Sequence, residues 1–220
     1  MNLLFVFIFA SLLVSCTAPL KKTSSQSGSE CFRLVGQNLV LEFLAKKEEC
    51  QSHRSEQGTT ILMLAAARGH LEILKEVLNL KVDVNEADFQ GDTALHYAVS
   101  TNKVAAAQLL MEAGARVKSR RPDGVSTLMQ AIQFGSLEMV KILSQDFEAI
   151  NDPAQDGWTP LYFAIRRNDI RILDQLLQRG ACPLVFDSYG QTPLEFAKEV
   201  KWVQAQDLLA KVQNCKDSTL

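Results

Sequence analysis

Three histidines, five cysteines and a formal charge of -2 across 220 residues leave little material for a catalytic or metal centre. No C-x-x-C, H-E-x-x-H, P-loop or G-x-S-x-G run occurs, so the spacings that build zinc, phosphate and nucleophile-elbow sites are missing. With 23 Lys and Arg against 25 Asp and Glu, the chain has no net field to gather phosphates, which excludes nucleic acid as a partner class. Only 11 glycines and 6 prolines are present, which excludes collagen-like or proline-rich architecture. After residue 16 no apolar run is long enough to cross a bilayer. What is present is 47% hydrophobic residues, enough for a folded chain rather than a disordered one.

That apolar content begins at once. Leu3 to Val14 reads LLFVFIFASLLV without a charge, which fits the core of a secretory signal over residues 1–15 and is too short to span a membrane. Met1-Asn2 in front of it lacks the usual Lys or Arg. The tetrad Leu13-Val14-Ser15-Cys16 resembles the lipobox of bacterial lipoproteins. That resemblance implies lipid on Cys16 and, with Thr17 rather than Asp beside it, the outer membrane. Ordinary cleavage into the periplasm is the other reading. Residues 17–30, TAPLKKTSSQSGSE, are too polar to bury a core, so 16–30 is expected to be a flexible tether with a reach of roughly 20 Å.

Periodicity organises the rest. Gly58, Gly91, Gly124, Gly157 and Gly190 recur every 33 residues and open the phrases GTTIL, GDTAL, GVSTL, GWTPL and GQTPL. Ala65, Ala98, Ala131, Ala164 and Ala197 follow at a constant seven residues. Apolar residues then recur at helical spacing, as in Leu71, Ile73, Leu74, Val77 and Leu78, or Leu137, Met139, Val140, Ile142 and Leu143. Each unit predicts a turn, a short helix, a second turn near Gly69 or Gly135, and a longer amphipathic helix.

This pattern resembles the ankyrin repeat family, whose T-P-L-H-x-A phrase appears in Thr93-Ala94-Leu95-His96-Tyr97-Ala98, Thr159-Pro160-Leu161 and Thr192-Pro193-Leu194. Gly69-His70 and Val84-Asn85 match two further landmarks. The resemblance implies an all-α solenoid of stacked helix-turn-helix units with hairpin-like turns: a capping half-repeat at 31–53, five repeats at 54–215 and a tail at 216–220. Gln37 to Lys47 copies a second helix, while the segment before it holds no T-P-L phrase. Lys198, Glu199, Lys201, Gln204, Gln206, Asp207 and Lys211 make the last helical pair polar, as the end of an array requires.

In such repeats His96 and His70 serve backbone hydrogen bonding, and His53 stands alone between cap and first repeat. No catalytic residue, cofactor or metal ligand is expected. Four cysteines in an exported domain read as disulfides. Cys31 and Cys50 bracket the capping helix and suit a bridge. Cys182 and Cys215 occupy equivalent phases of adjacent units, roughly 10 Å apart in a regular stack and beyond the roughly 7 Å limit. Their bridge needs a distorted last repeat.

Ankyrin proteins bind partners through the residues around the turn glycine and those closing the first helix. Here these are Phe89, Gln90, Arg120, Asp123, Trp158, Phe186 and Tyr189, with Arg68, Thr101, Phe134, Arg166 and Arg167. Aromatics and arginines dominate interface energetics, and Phe89, Phe134, Trp158, Phe186 and Tyr189 are expected along one exposed edge. The resulting expectation is a monomeric, non-catalytic exported module holding a protein in its concave groove, by analogy a cell-wall hydrolase that it inhibits in self-protection. A periplasmic scaffold without inhibitory activity is the alternative.

Overall fold

Why helices start where they do is set by the repeated phrase. Thr60 Oγ1 accepts from Met63 N at 3.3 Å, Ser126 Oγ from Met129 N at 3.4 Å, and Thr192 Oγ1 from Glu195 N at 3.3 Å. Each hydroxyl satisfies an amide that the first turn leaves unpaired. Glu195 returns the bond, its carboxylate accepting from Thr192 N at 2.8 Å, and Pro160 and Pro193 sit in first-turn positions that need no donor. Just before these caps, Gly58, Gly91, Gly124, Gly157 and Gly190 take φ between 76° and 84°, a left-handed geometry that turns the hairpin without steric cost.

The computed structural model describes residues 24–212 and 215; the leader expected over 1–15, the lipid expected on Cys16, residues 17–23 and the tail 216–220 lie outside the described residues. In chain order the helices are α1 (Ser24–Gly36), α2 (Val40–Leu44), α3 (Lys47–Cys50), α4 (Ile61–Arg68), α5 (Leu71–Asn79), α6 (Ala94–Ser100) and α7 (Val104–Glu112). There follow α8 (Thr127–Phe134), α9 (Leu137–Leu143), α10 (Phe147–Ile150), α11 (Pro160–Arg167), α12 (Ile170–Gln178), α13 (Pro193–Glu199) and α14 (Val203–Leu209). Among the described residues there is no strand, only isolated antiparallel bridges Arg54–Thr60, Ala87–Thr93 and Arg120–Ser126 at the hairpin bases. The architecture is an all-α solenoid.

First helices α4, α6, α8, α11 and α13 stack in one layer, and α5, α7, α9, α12 and α14 stack in a second. Ala65, Ala98, Ala131, Ala164 and Ala197 are all fully buried, so the small side chain at that phase lets the first helices approach closely. Ile73, Leu74, Val77, Met139, Val140 and Leu143 seal the second layer from below. Asn85 joins successive units by donating to Gly114 O and accepting from Arg116 N, and Asn151 does the same with Gly180 O and Cys182 N.

Two expectations need correction at the ends. The helix α1 starts at Ser24, inside the tether expected to extend to residue 30, and packs on α4 as a first helix. Its polar N-terminal turns are helical because Cys31, Leu34 and Val35 on the same helix are buried and because Ser27 Oγ donates to His53 Nε2 at 2.9 Å. His53 therefore is not alone, since its Nδ1 also donates to Glu49 O at 2.8 Å. The cap is a whole unit rather than half of one, its second helix divided into α2 and α3 and joined to α1 by the Cys31–Cys50 disulfide, with Cα atoms 5.4 Å apart. At the other end α14 stops at Leu209, Val212 N turns back to Leu209 O, and no further hairpin follows among the described residues. The departing chain brings Cys215 to a Cα separation of 4.9 Å from Cys182, and the two are bonded.

The third unit keeps the 33-residue period but not the geometry. Lys81, Gly114 and Gly180 end their second helices at φ 57°, 92° and 98°. Phe147 holds that phase in the third unit, where a bulky side chain is strained at positive φ. The chain instead closes α9 after seven residues, where α5, α7 and α12 have nine, and adds α10, whose Glu148 N donates to Asp146 Oδ1. Gly135 is likewise extended, and it is needed for closeness rather than handedness, since a Cβ there would meet Ala131 O at 2.6 Å.

Candidate protein-binding face

The hairpins stand side by side as a ribbed edge. Phe89 N donates to Gln57 O and Ser188 N to Asp156 O, tying neighbouring tips together. Within the first tip Ser55 Oγ accepts local amides, and in the later tips an acidic side chain does so: Asp88 takes Gln90 N and Asp92 N, Asp123 takes Val125 N, Asp156 takes Trp158 N, and Asp187 takes Tyr189 N and Gln191 N. Asp123 is thus a hairpin brace. Arg121 spans two units with a bidentate pair to Asp92 at 2.7 and 2.9 Å, and that contact holds its guanidinium charged above the ordinary arginine range.

The twelve residues expected to meet a partner divide on this edge. Phe89, Phe134, Phe186 and Tyr189 are 80%, 64%, 66% and 87% exposed. Gln90 and Arg68 are also exposed. Phe89 lies over the preceding hairpin, where a Cβ on Gly58 would meet its ring at 3.0 Å. Arg68 and Thr101 share a shallow depression with Gly36, Ala67, His70 and Lys103, and the Thr101 hydroxyl is spent on Tyr97 O at 2.9 Å. Two others do structural work. Arg120 pairs with Asp152 and donates to Pro153 O at 2.6 Å. Arg167 donates to Ile132 O and Gly135 O, carbonyls at the end of α8. Their charges are engaged between repeats.

Trp158 corrects the expectation of five bare aromatics. Its ring is half-buried, stacked on Tyr162 with centroids 5.6 Å apart, edge-on to Phe163 at 5.8 Å and tilted against Phe196 at 5.0 Å. The Arg166 guanidinium lies 5.2 Å from the Trp158 centroid and 4.9 Å from that of Phe163, a cation–π cap on the cluster. Arg166 has no carboxylate within ion-pair distance among the described residues and is exposed.

Beneath this cap, Tyr162 occupies the phase that His96 holds two units earlier. The His96 Nδ1 accepts from Thr93 N at 3.2 Å, its Nε2 lies 3.3 Å from Thr127 Oγ1, and burial holds the imidazole below its ordinary pKa. Tyr162 performs the same bridging with a hydroxyl, donating toward Val185 O at 3.1 Å and Gln191 O at 2.5 Å of the last hairpin. Burial, and then the nearby Asp187 charge, push its ionisation well above the usual tyrosine range. It therefore stays a donor.

Leu184, 51% exposed, joins Phe186 and Tyr189 on the last hairpin and went unnoticed in the sequence. The available signal was its place in the last unit the period marks, with no later hairpin among the described residues to cover it. Among the described residues, no group of three or more His, Cys, Asp and Glu is placed to hold a metal ion, and no helix is long and apolar enough to cross a membrane.

Comparison with known proteins follows the same lines. The profile for ankyrin repeats in three copies matches residues 31–121 and 128–206. The ankyrin repeat protein YahD of Escherichia coli (strain K12) is 33% identical over 186 residues, covering 67% of this chain and 92% of YahD. The NF-kappa-B p105 subunit of Mus musculus is 31% identical over 133 residues, but these make up only 14% of p105. In the solved structure of the Bd0816 predatory endopeptidase from Bdellovibrio bacteriovorus in complex with immunity protein Bd3460, one chain is similar at a TM-score of 0.71 and 29% identity. That likeness covers 82% of this chain and 96% of the other. With the helix pairs, hairpins and period already in place, the chain belongs to the ankyrin repeat family.

Proposed function

We propose that this chain is an exported, non-catalytic immunity protein that binds and inhibits a peptidoglycan-cleaving endopeptidase of its own cell. The observation that carries the reading is the likeness to a chain from an endopeptidase–immunity protein complex, extending over 96% of that chain. Of the two members of such a pair, a chain that belongs to the ankyrin repeat family matches the immunity protein better than the endopeptidase, since its repeats assemble a binding edge. The edge supports the same reading. Exposed Phe89, Phe134, Phe186 and Tyr189 supply contact area, while Arg166 supplies a charge for a partner carboxylate.

In this proposal residues 1–15 direct export, Cys16 carries the lipid, and the repeats act in the periplasm next to the wall the enzyme cuts. Inhibition is occlusion: a rigid edge covers the enzyme's cleft and keeps the cross-linked peptide out. The test mixes the purified chain with the cell's periplasmic endopeptidases and isolated peptidoglycan, and follows released muropeptides. Loss of cleavage at near-stoichiometric chain supports the proposal. Binding with an unchanged cleavage rate identifies a scaffold instead.

A further inference from the structure

The two halves of the terminal repeat obey different rules. Among the described residues nothing stacks beyond it, so its outward surface should be polar, and the helices comply for the most part, with exposed Lys198, Glu199, Lys201, Gln204 and Asp207 around the smaller Val200 and Val203, which are 45% and 63% exposed. The hairpin of residues 182–191 does not. Leu184, Phe186 and Tyr189 are 51%, 66% and 87% exposed on ten residues of chain, a concentration of bare apolar surface that solubility alone disfavours.

The same hairpin is also fastened at several points. Its start is bonded to the C-terminal segment through Cys182–Cys215. Cys182 N is held by Asn151 Oδ1 at 2.8 Å, and the buried Tyr162 hydroxyl donates to Val185 O and Gln191 O. At the tip Asp187 accepts from Tyr189 N and Gln191 N, and Ser188 N donates to Asp156 O in the neighbouring hairpin. Exposed aromatics on a backbone that cannot rearrange lose little conformational freedom on binding, which is what makes an anchor effective. In the preceding repeat, Arg166 rides on the Trp158–Phe163 pair without a carboxylate of its own among the described residues.

We propose that the hairpin of residues 182–191 is a preformed aromatic anchor that inserts Phe186 and Tyr189 into an apolar cleft of the inhibited enzyme, with Arg166 meeting a carboxylate on the cleft's rim. This rests on the inhibitory reading above and adds which part of the edge carries it. The cleft is the occupant because two bulky, bare aromatics on one turn are fully desolvated only in a pocket, and a cleft is what inhibition by occlusion has to fill. Neighbouring charge selects the acidic rim. The Cys182–Cys215 bond acts as a positioning device, holding the root of the hairpin without touching the partner.

The experiment uses the full exported chain and, as probe, the endopeptidase that the wild type inhibits in the muropeptide assay. A Phe186→Ser, Tyr189→Ser variant is expected to weaken inhibition about 100-fold, since two central aromatics each contribute at least about tenfold. Its thermal transition should match wild type, both side chains being solvent-exposed. Arg166→Gln should weaken inhibition about tenfold and make it less sensitive to salt. Leu41→Ser, 83% exposed on α2, should change nothing. Undiminished inhibition by the double serine variant overturns the anchor while leaving the inhibitory reading standing. A wild type that inhibits no endopeptidase overturns both. Sedimentation of the chain alone adds a further check: a concentration-dependent dimer abolished by the double variant would assign the hairpin to self-association and overturn the anchor.

Discussion

Both ends of the stack are closed by a disulfide, yet the two closures do different things. At the N-terminal end Cys31 and Cys50 are 2% and 0% exposed and belong to the apolar core with Leu34, Val35 and Phe43. At the C-terminal end Cys182 and Cys215 are only half-buried, and their bond lies at the root of a hairpin whose apolar side chains face outward. One bridge seals a core and the other holds a surface in shape. An open-ended array needs the first kind wherever a repeat would otherwise be missing. The second kind has a purpose only if the surface is used.

Removing the N-terminal bridge should break the comparison most severely. Cys31→Ala, Cys50→Ala is expected to cost about 3 kcal/mol in urea unfolding, from release of the cross-linked unfolded chain and loss of packing around α1. A smaller loss, about 2 kcal/mol, is expected for Tyr162→Phe, which takes the donor from Val185 O and Gln191 O inside the protein. This one has a pH signature. Tyr162 ionises above its ordinary value near 10, so the folded state favours the protonated form. Its contribution is complete below that pH and disappears as pH rises through the ordinary value toward the folded one. Tyr97, raised mainly by burial, adds to the same alkaline loss. Unfolding measured between about pH 9 and about pH 11 should show the phenylalanine variant losing less stability than wild type.

The C-terminal bridge should have the smallest global effect. A terminal repeat can open without the rest of the array, so Cys182→Ala, Cys215→Ala is expected to lower overall stability by about 1 kcal/mol or less. Hydrogen exchange should speed up in α13, α14 and residues 182–191 and remain as in wild type in α4 through α9. Equal losses from the two bridge variants, spread over the whole chain, would erase the distinction between the ends.

Much of the fold was legible because a 33-residue period is a statement about geometry: each phrase places one hairpin glycine, one cap and one small residue between helices. Departures from the phrase were harder to read. Phe147 breaks the left-handed position filled by Lys81, Gly114 and Gly180, and only the traced backbone shows α10 forming in response. Helix α1 was hidden by SSQSGSE, polar residues that become helical because the following turn buries Cys31 and Leu34. Along the hairpin edge, residue type and phase pointed to Phe89, Phe134, Phe186 and Tyr189, which are exposed. They did not separate Arg120 and Arg167, whose acceptors lie one repeat away, from Arg166, which has none among the described residues. Trp158 was misplaced for a related reason, since the aromatic pocket beneath it is assembled from two different repeats.

The central claim, that the hairpin edge of the last two repeats grips an endopeptidase, is most directly tested by hydrogen exchange on the chain alone and saturated with the enzyme it inhibits. Slowed exchange at residues 156–158 and 186–191, with the outer helices α5, α7, α9 and α12 unchanged, is the predicted result. Protection confined to those outer helices, or none on the chain at saturation, would contradict it.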